Sequence, residues 1–300
     1  MHFNYIGRIA ESELIITERG TIYHLDIAPQ DLAPTVITVG DPGRVAEVSK
    51  YFDRVEFKAA HREFITHTGY IGKKRLSVIS TGIGPDNIDI VFNELDALAN
   101  IDFDTRQVKD VKTSLTIIRL GTCGGLQPDV PVDSLVVSSH GIGLDNLLHF
   151  YRYNPTSEEY FLQDAFTKHT GMGPNIPIVP YVVEGAISLR KHFGKPFVHG
   201  ITVTCPGFYG PQGRVLRLPP ALPNLVDALT TFDCRGQRIT NFEMETSAMY
   251  GLARLMGHKT LSVSTIVANR VAKTFSKDGA RSVDNLIRTS LDVIVGAIAV

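Results

Sequence analysis

A chain of 300 residues, 43% hydrophobic and 20% charged, has enough apolar side chain for a substantial core, which excludes a disordered protein, and α/β domains of this length commonly form one core. The formal net charge of -1 provides no overall positive field for a polyanion, so nucleic acid is excluded as a partner and any anion site has to be local. Cys123, Cys205 and Cys234 have neither the paired spacing of a zinc site nor the even count of a disulfide framework, and point to a reducing compartment.

Met1 to Ile16 mix His, Arg and Glu with apolar residues and lack the basic start and apolar run of a signal peptide, which predicts a soluble, cytoplasmic chain with no membrane partner. Residues 1–22 read as an N-terminal extension. The first β-branched run, Thr35 to Val39, predicts a strand that feeds Gly40-Asp41-Pro42-Gly43-Arg44. Two glycines there let backbone amides approach an oxyanion and Arg44 adds a cation, although a structural Asp-Pro-Gly turn explains the same letters. His61-Arg62-Glu63 precedes an alternating stretch of edge or hairpin type, and neither His61 nor His67 has a metal-ligand companion. A strand over Arg75 to Ser80 leads to a helix capped by Asn87, with Ile88, Val91, Phe92, Leu95 and Leu98 on one face. Asn100 to Thr113 is polar and reads as a loop.

The run Ser114 to Leu120 predicts a buried strand ending in Arg119-Leu120-Gly121-Thr122-Cys123-Gly124-Gly125. The guanidinium, the Thr122 hydroxyl and the amides of a glycine-rich turn could converge on one phosphate. Gly121 to Gly125 also fits the Gly-x-nucleophile-x-Gly elbow of hydrolases with Cys123 as nucleophile, but an elbow must run straight into a helix and Pro128 and Pro131 prevent one. Ser134 to Ser138 is the next strand, followed by residues 146–180, rich in aromatics, Gly and Pro, which read as a loop or variable insertion.

Val198 to Thr204 predicts a strand leading to Phe208, Gln212 and Arg214, where an amide and a guanidinium can present donors and an acceptor to a flat ring and the phenyl group can stack on it; an ordinary polar loop fits equally. In Asn241 to Met249, Met244, Ala248 and Leu252 follow helical spacing and place Glu243 and Glu245 near a helix start. Acids there complement the dipole, and one turned inward could accept hydrogen bonds from sugar hydroxyls. Thr260 to Ala268 is the last strand, Arg270 to Arg281 a loop, and Ser282 caps a closing amphipathic helix whose apolar end, Leu291 to Val300, is too short to span a bilayer. Strands alternating with helices predict an α/β fold with a mixed or largely parallel sheet.

In this order, from about Tyr23 to Arg270 and on into the closing helix, these segments resemble the nucleoside phosphorylase-I family, most closely its uridine phosphorylase branch. The resemblance implies a single domain with three layers, α/β/α, around a central mixed β-sheet. It implies that Gly40 and Arg44 form one phosphate loop, Arg119 and Thr122 a second, and that Arg62 reaches the same phosphate from a neighbouring subunit. His24 matches a histidine that crosses the interface to the ribose 5′-hydroxyl, Met244 and Glu245 the ribose floor and its carboxylate, and Phe208, Gln212 and Arg214 the uracil-recognition set. Arg119, Glu245, Gln212 and Arg214 are then the catalytic group.

The implied reaction is reversible phosphorolysis of uridine to uracil and ribose 1-phosphate, with inorganic phosphate as co-substrate, no cofactor and no catalytic metal. The implied assembly is a homo-oligomer, at least a dimer and by family pattern a hexamer, with the site shared between subunits. Purine phosphorylases of the family protonate the base with an Asp where this chain has Asn269, a poor general acid, which favours a pyrimidine; a purine phosphorylase or a nucleosidase of the same fold are the alternatives. A monovalent cation site of some relatives maps to Glu63, Ile83 and Asn87, and Asn87 in place of a hydroxyl counts against it.

Overall fold

The computed structural model describes residues 7–173 and 176–298. In chain order the elements are β1 (Thr35–Val39), α1 (Pro42–Ser49), β2 (Arg54–His61), β3 (Phe64–Ile71), β4 (Lys74–Ser80), α2 (Pro85–Asn100), β5 (Ile101–Asp102), β6 (Gln107–Val108), β7 (Thr116–Gly125) and β8 (Leu135–Gly143). They continue with α3 (Ser157–Thr170), β9 (Tyr181–Glu184), α4 (Ile187–Arg190), β10 (Val198–Thr204), α5 (Leu225–Thr231), β11 (Asp233–Cys234), β12 (Gln237–Glu243), α6 (Thr246–Met256), β13 (Lys259–Asn269), β14 (Thr274–Phe275) and α7 (Gly279–Ala297).

One mixed sheet carries twelve of the strands, ordered β11-β12-β10-β8-β13-β7-β1-β4-β3-β2, with β14 on β13 and β9 on β8. Strand alternation separates the layers. Val36, Ile79 and Ile117 pack against Ile88, Phe92 and Leu95 of α2 and Met249 and Leu252 of α6. Their neighbours Ile37, Val78 and Ile118 pack on the opposite face against Val45 of α1 and Leu286, Ile287 and Ile294 of α7. Burial on both faces is why β1 is β-branched throughout and why β4 and β7 set Val78 beside Ile79 and Ile117 beside Ile118. The sheet also curls: β12 returns to pair Asn241 with Gly125 and Phe242 with Gly124, so β7, β13, β8, β10 and β12 form a closed ring of pairings.

The six expected strands are present, β1 and β10 with the expected bounds. The glycine-rich stretch is not a turn: Gly121 to Gly125 continue β7, held in parallel register to Ser264 through Asn269 of β13. Helix α2 begins at Pro85, a residue suited to the first helical position, so Asn87 lies within the first turn and not at the cap. Helix α7 begins three residues before Ser282, its cap the Asp278 carboxylate accepting from the Arg281 amide, while the Ser282 hydroxyl is buried against Thr265. Arg270 to Arg281 includes β14, and the polar stretch Asn100 to Thr113 includes the β5–β6 hairpin.

Residues 146–180 hold a full helix, α3, with a reciprocal cap between Thr156 and Glu159. Glu159 is 1% exposed and takes the Arg254 guanidinium of α6, which ties the insertion to the body. Among the described residues, no helix is long and apolar enough to cross a membrane.

Candidate functional site

Strands β1, β4 and β7 are mutually parallel, β10 and β12 form a second parallel pair that meets β7 antiparallel where the sheet closes, and the ends of both sets converge on one site. A cavity of about 670 Å³ opens there. Its position follows from a change of partner along β7: β1 pairs with that strand only as far as Arg119, and β12 takes over at Gly124. The intervening edge, Leu120 to Cys123, has no strand beside it, and Thr122 and Cys123 line the cavity.

Gly40, Arg44, Arg119, Thr122, Phe208, Gln212, Arg214, Met244 and Glu245 all line this one cavity. At its floor the 6%-exposed Arg119 donates to Glu245 Oε2 at 2.5 Å and to Ser264 Oγ at 3.2 Å, with Glu243 Oε2 at 3.5 Å. The close seat depends on Gly121, two residues on and on the same face of the strand, because a Cβ there would lie 1.8 Å from Arg119 Nη1. Burial opposes the Arg119 charge, but Glu245 and Glu243 outweigh it and hold the guanidinium above the ordinary arginine value. Burial pushes the Glu245 carboxyl above the usual carboxylate range, against the pull of Arg119. Glu245 Oε1 also accepts the Gly84 amide at 2.9 Å.

The two acids divide their tasks. Glu243 ends β12 and accepts the amides of Glu245 and Thr246, capping α6, together with the Thr204 hydroxyl. Glu245 occupies the cap position with its carboxylate free of that duty. Arg44 donates to the Leu120 carbonyl at 3.4 Å, and burial and the like charge of Arg119 both lower its proton affinity. An anion between the two guanidiniums would relieve that repulsion.

At the other end Arg214 donates to the Phe208 carbonyl at 2.7 Å and to the Gln212 side-chain oxygen, its guanidinium 3.7 Å from the Phe208 ring centroid. The ring is 50% exposed. Arg270, which sequence reasoning missed, donates to the Gln212 carbonyl at 3.0 Å and the Gly213 carbonyl at 3.3 Å, and so fixes the backbone of this loop. Phe275 on β14 also lines the cavity, as do Phe242, Val267 and Ala268. Its phenyl group on a short strand within a presumed loop carried no hydropathy signal.

Arg62 and His24 are not brought to this cavity. Arg62 sits at the tip of the β2–β3 hairpin with φ of 54°, its guanidinium over the Tyr23 ring, and His24 Nδ1 lies 2.6 Å from Glu94 Oε1. The two share one surface cluster with Tyr23 and His61. Glu63, Ile83 and Asn87 reach the cavity rim, where the Asn87 amide donates to Glu63 Oε1 at 3.1 Å. Asn269 faces away: its amide donates to the Gln127 and Val130 carbonyls and its oxygen accepts from Val271 and Ala272. Cys123 is no elbow nucleophile, since it stands within a strand and burial pushes its thiol well up. Among the described residues no cluster of His, Cys, Asp and Glu is arranged to hold a metal.

The family model of the phosphorylase superfamily matches residues 34–294. The chain is 31% identical over 279 residues to the uridine phosphorylase of Thermococcus kodakarensis, covering 92% of this chain and 87% of the relative. It is 26% identical over 278 residues to the DeoD-type purine nucleoside phosphorylase of Caldanaerobacter subterraneus, covering 90% and 98%. Among solved structures it is similar to a Trypanosoma brucei nucleoside phosphorylase described as showing uridine phosphorylase activity, with a TM-score of 0.87, 31% identity and coverage of 95% of this chain and 100% of that one.

Proposed function

The chain belongs to the phosphorylase superfamily, and from that membership we propose that it is a uridine phosphorylase, a pentosyltransferase that exchanges uracil for phosphate on the ribose of uridine. The observation that carries the reading is the sharing of one cavity by an arginine pair, Arg44 and Arg119, a buried sugar-facing carboxylate, Glu245, and the Gln212–Arg214 pair.

Breaking an N-glycosidic bond develops positive charge on the ribose and negative charge on the base. Phosphate held by Gly40, Arg44, Arg119 and Thr122 lies beneath the anomeric carbon as nucleophile and stabilising anion. Glu245 accepts from the ribose hydroxyls beside Met244. As the bond from the anomeric carbon to the base nitrogen breaks, its electron pair moves onto uracil, and Arg214 and the Gln212 amide stabilise the charge on the carbonyl oxygens. The bond to a phosphate oxygen forms and uracil is protonated from solvent. The base end of the cavity, formed by Phe208, Gln212, Arg214, Val267, Ala268 and Phe275, has no carboxylic acid to protonate a purine. The reading calls for inorganic phosphate, no resident cofactor and no metal.

Arg62 and His24 complete the cavity of a second copy, so the working unit is at least a dimer, and a hexamer by resemblance. Their clustering on the surface, outside their own chain's cavity, supports this. Mixing inactive Arg62→Ala and Arg119→Ala chains should restore partial activity through hybrid assemblies; no recovery removes the shared site. Three free, buried cysteines fit a cytoplasmic location.

The direct test incubates the pure protein with uridine, thymidine, inosine or adenosine, with and without phosphate. Uracil and ribose 1-phosphate in equal amounts, only with phosphate, are expected. Cleavage of inosine but not uridine makes it a purine phosphorylase, and turnover without phosphate makes it a nucleosidase.

A further inference from the structure

The segment from Tyr209 to Arg214 is a partition. Phe208 and Gln212 line the substrate cavity, whereas Tyr209, Gly210 and Pro211 line a second cleft of about 680 Å³, and Arg214 lines both. The cleft walls are apolar, with Leu144, Met172, Leu222 and Leu225 at depth and Leu216 and Leu218, 79% and 69% exposed, at the rim. Its volume falls within the range of about 300–1,000 Å³ typical of small-molecule sites.

Its charge is one-sided. Among the described residues the Arg214 guanidinium donates only to the Phe208 carbonyl and the Gln212 side chain, and that of neighbouring Arg270, which repels it, only to backbone carbonyls. Arg217 is a further cation on the lining. Among the described residues none of the three has a carboxylate partner. An apolar cleft with unneutralised guanidiniums at one side complements a molecule with an apolar body and a single anionic group.

We propose that this cleft is a second ligand site, for an amphipathic anion, whose occupant loosens base recognition by drawing Arg214 away from Gln212. The connection is short. The amides of both Gln212 and Arg214 donate to the Tyr209 carbonyl, at 3.1 and 2.8 Å, so a residue facing the cleft is tied to the two that face the base. The binding half stands by itself; the effect on base recognition rests on the uridine phosphorylase reading.

The test uses 8-anilinonaphthalene-1-sulfonate as probe on the full chain with saturating phosphate, which keeps the sulfonate off Arg44 and Arg119. A saturable fluorescence rise is expected. Ala221→Trp, which fills the cleft, and Leu218→Glu, which repels the anion, should each weaken it about tenfold, a modest loss of binding free energy. Both substitutions are at exposed positions and should leave uridine turnover without the probe unchanged. In the wild type the probe should raise the uridine KM to a plateau and leave the phosphate KM alone. No saturable signal, or a signal both variants keep, overturns the site. A KM that climbs without limit overturns the proposed action, because the probe then occupies the substrate cavity. If uridine is not cleaved at all, the functional reading fails while the fluorescence still decides whether the cleft binds.

Discussion

Replacing Gly121 with alanine puts a methyl carbon where the Arg119 side chain lies, 1.8 Å from Nη1 and 2.5 Å from Cζ. What must give is the guanidinium, the mobile end of a long side chain, so the fold should survive and the phosphate seat should not. Displacement breaks the charge-assisted bond to Glu245 at 2.5 Å, which is worth about 1.5–3 kcal/mol. The melting temperature should therefore fall by about 3–6 °C, at about 2 °C per kcal/mol for a chain of this size. The same loss of one charged contact to phosphate in the transition state lowers kcat/KM by about 10- to 150-fold. Phosphorolysis of uridine measured across phosphate concentrations should show the loss as a raised phosphate KM. Gly279→Ala, where an added Cβ meets nothing within 4 Å, is the control. A Gly121→Ala protein with the wild-type phosphate KM would show that Arg119 does not hold phosphate from this seat.

Asn269→Asp turns a carboxylate toward the Gln127 and Val130 carbonyls at a position 1% exposed, and should cost about 3–5 kcal/mol without conferring purine cleavage. A stable variant that cleaves inosine would refute the assignment of Asn269 to structure. Cys123→Ala should retain phosphorolysis, and iodoacetamide should leave the wild type active, because burial keeps the thiol protonated; inactivation of either kind would restore the nucleophile. Burial holds His140 below the usual histidine value of about 6.5, against the pull of Glu184 and, more distantly, Glu159 and Glu158 and alongside Arg190. Below that value the unfolded chain binds a proton that the folded chain resists, so stability is complete above about pH 6.5 and falls as the pH drops through it. His140→Gln should flatten denaturant-derived stability between about pH 6.5 and 5, and an unchanged slope would assign the loss to other groups.

The strands were legible because both faces of β1, β4, β7 and β13 are buried, which calls for Val, Ile and Leu among small Ser and Thr with almost no charge. The glycines of β7 misled for a related reason. Glycine disfavours a strand unless something needs the space, and here Arg119 needs it at Gly121 and the Phe242 ring at Gly124, where a Cβ would fall 2.7 Å away. Helix α3 escaped notice because its buried residues are only Glu159, Leu162 and Phe166, so no apolar stripe announces it. The signal present was Thr156 followed three residues later by Glu159. Of the candidate site, the loop motifs after the strands were legible one by one. Arg270 was not, because its task is to hold a backbone that lies 57 and 58 residues away in sequence.

If Arg119 holds phosphate and Glu245 holds the ribose, as proposed, the contact between them makes each ligand's anchor the other's obstacle. Phosphate must take a guanidinium that already has a carboxylate, and the ribose must take a carboxylate that already has a guanidinium. The cost of separating the two is met once, by whichever ligand arrives first. The second then finds its anchor released, so phosphate and nucleoside should bind with positive cooperativity, and by reciprocity each should tighten the other by the same factor. Phosphate affinity measured with and without a non-cleavable uridine analogue gives that factor directly, and a ratio of one would mean that the two groups never part. An enzyme built this way resists half-filling, and an exchange that needs both partners at once begins from a site that favours holding both or neither.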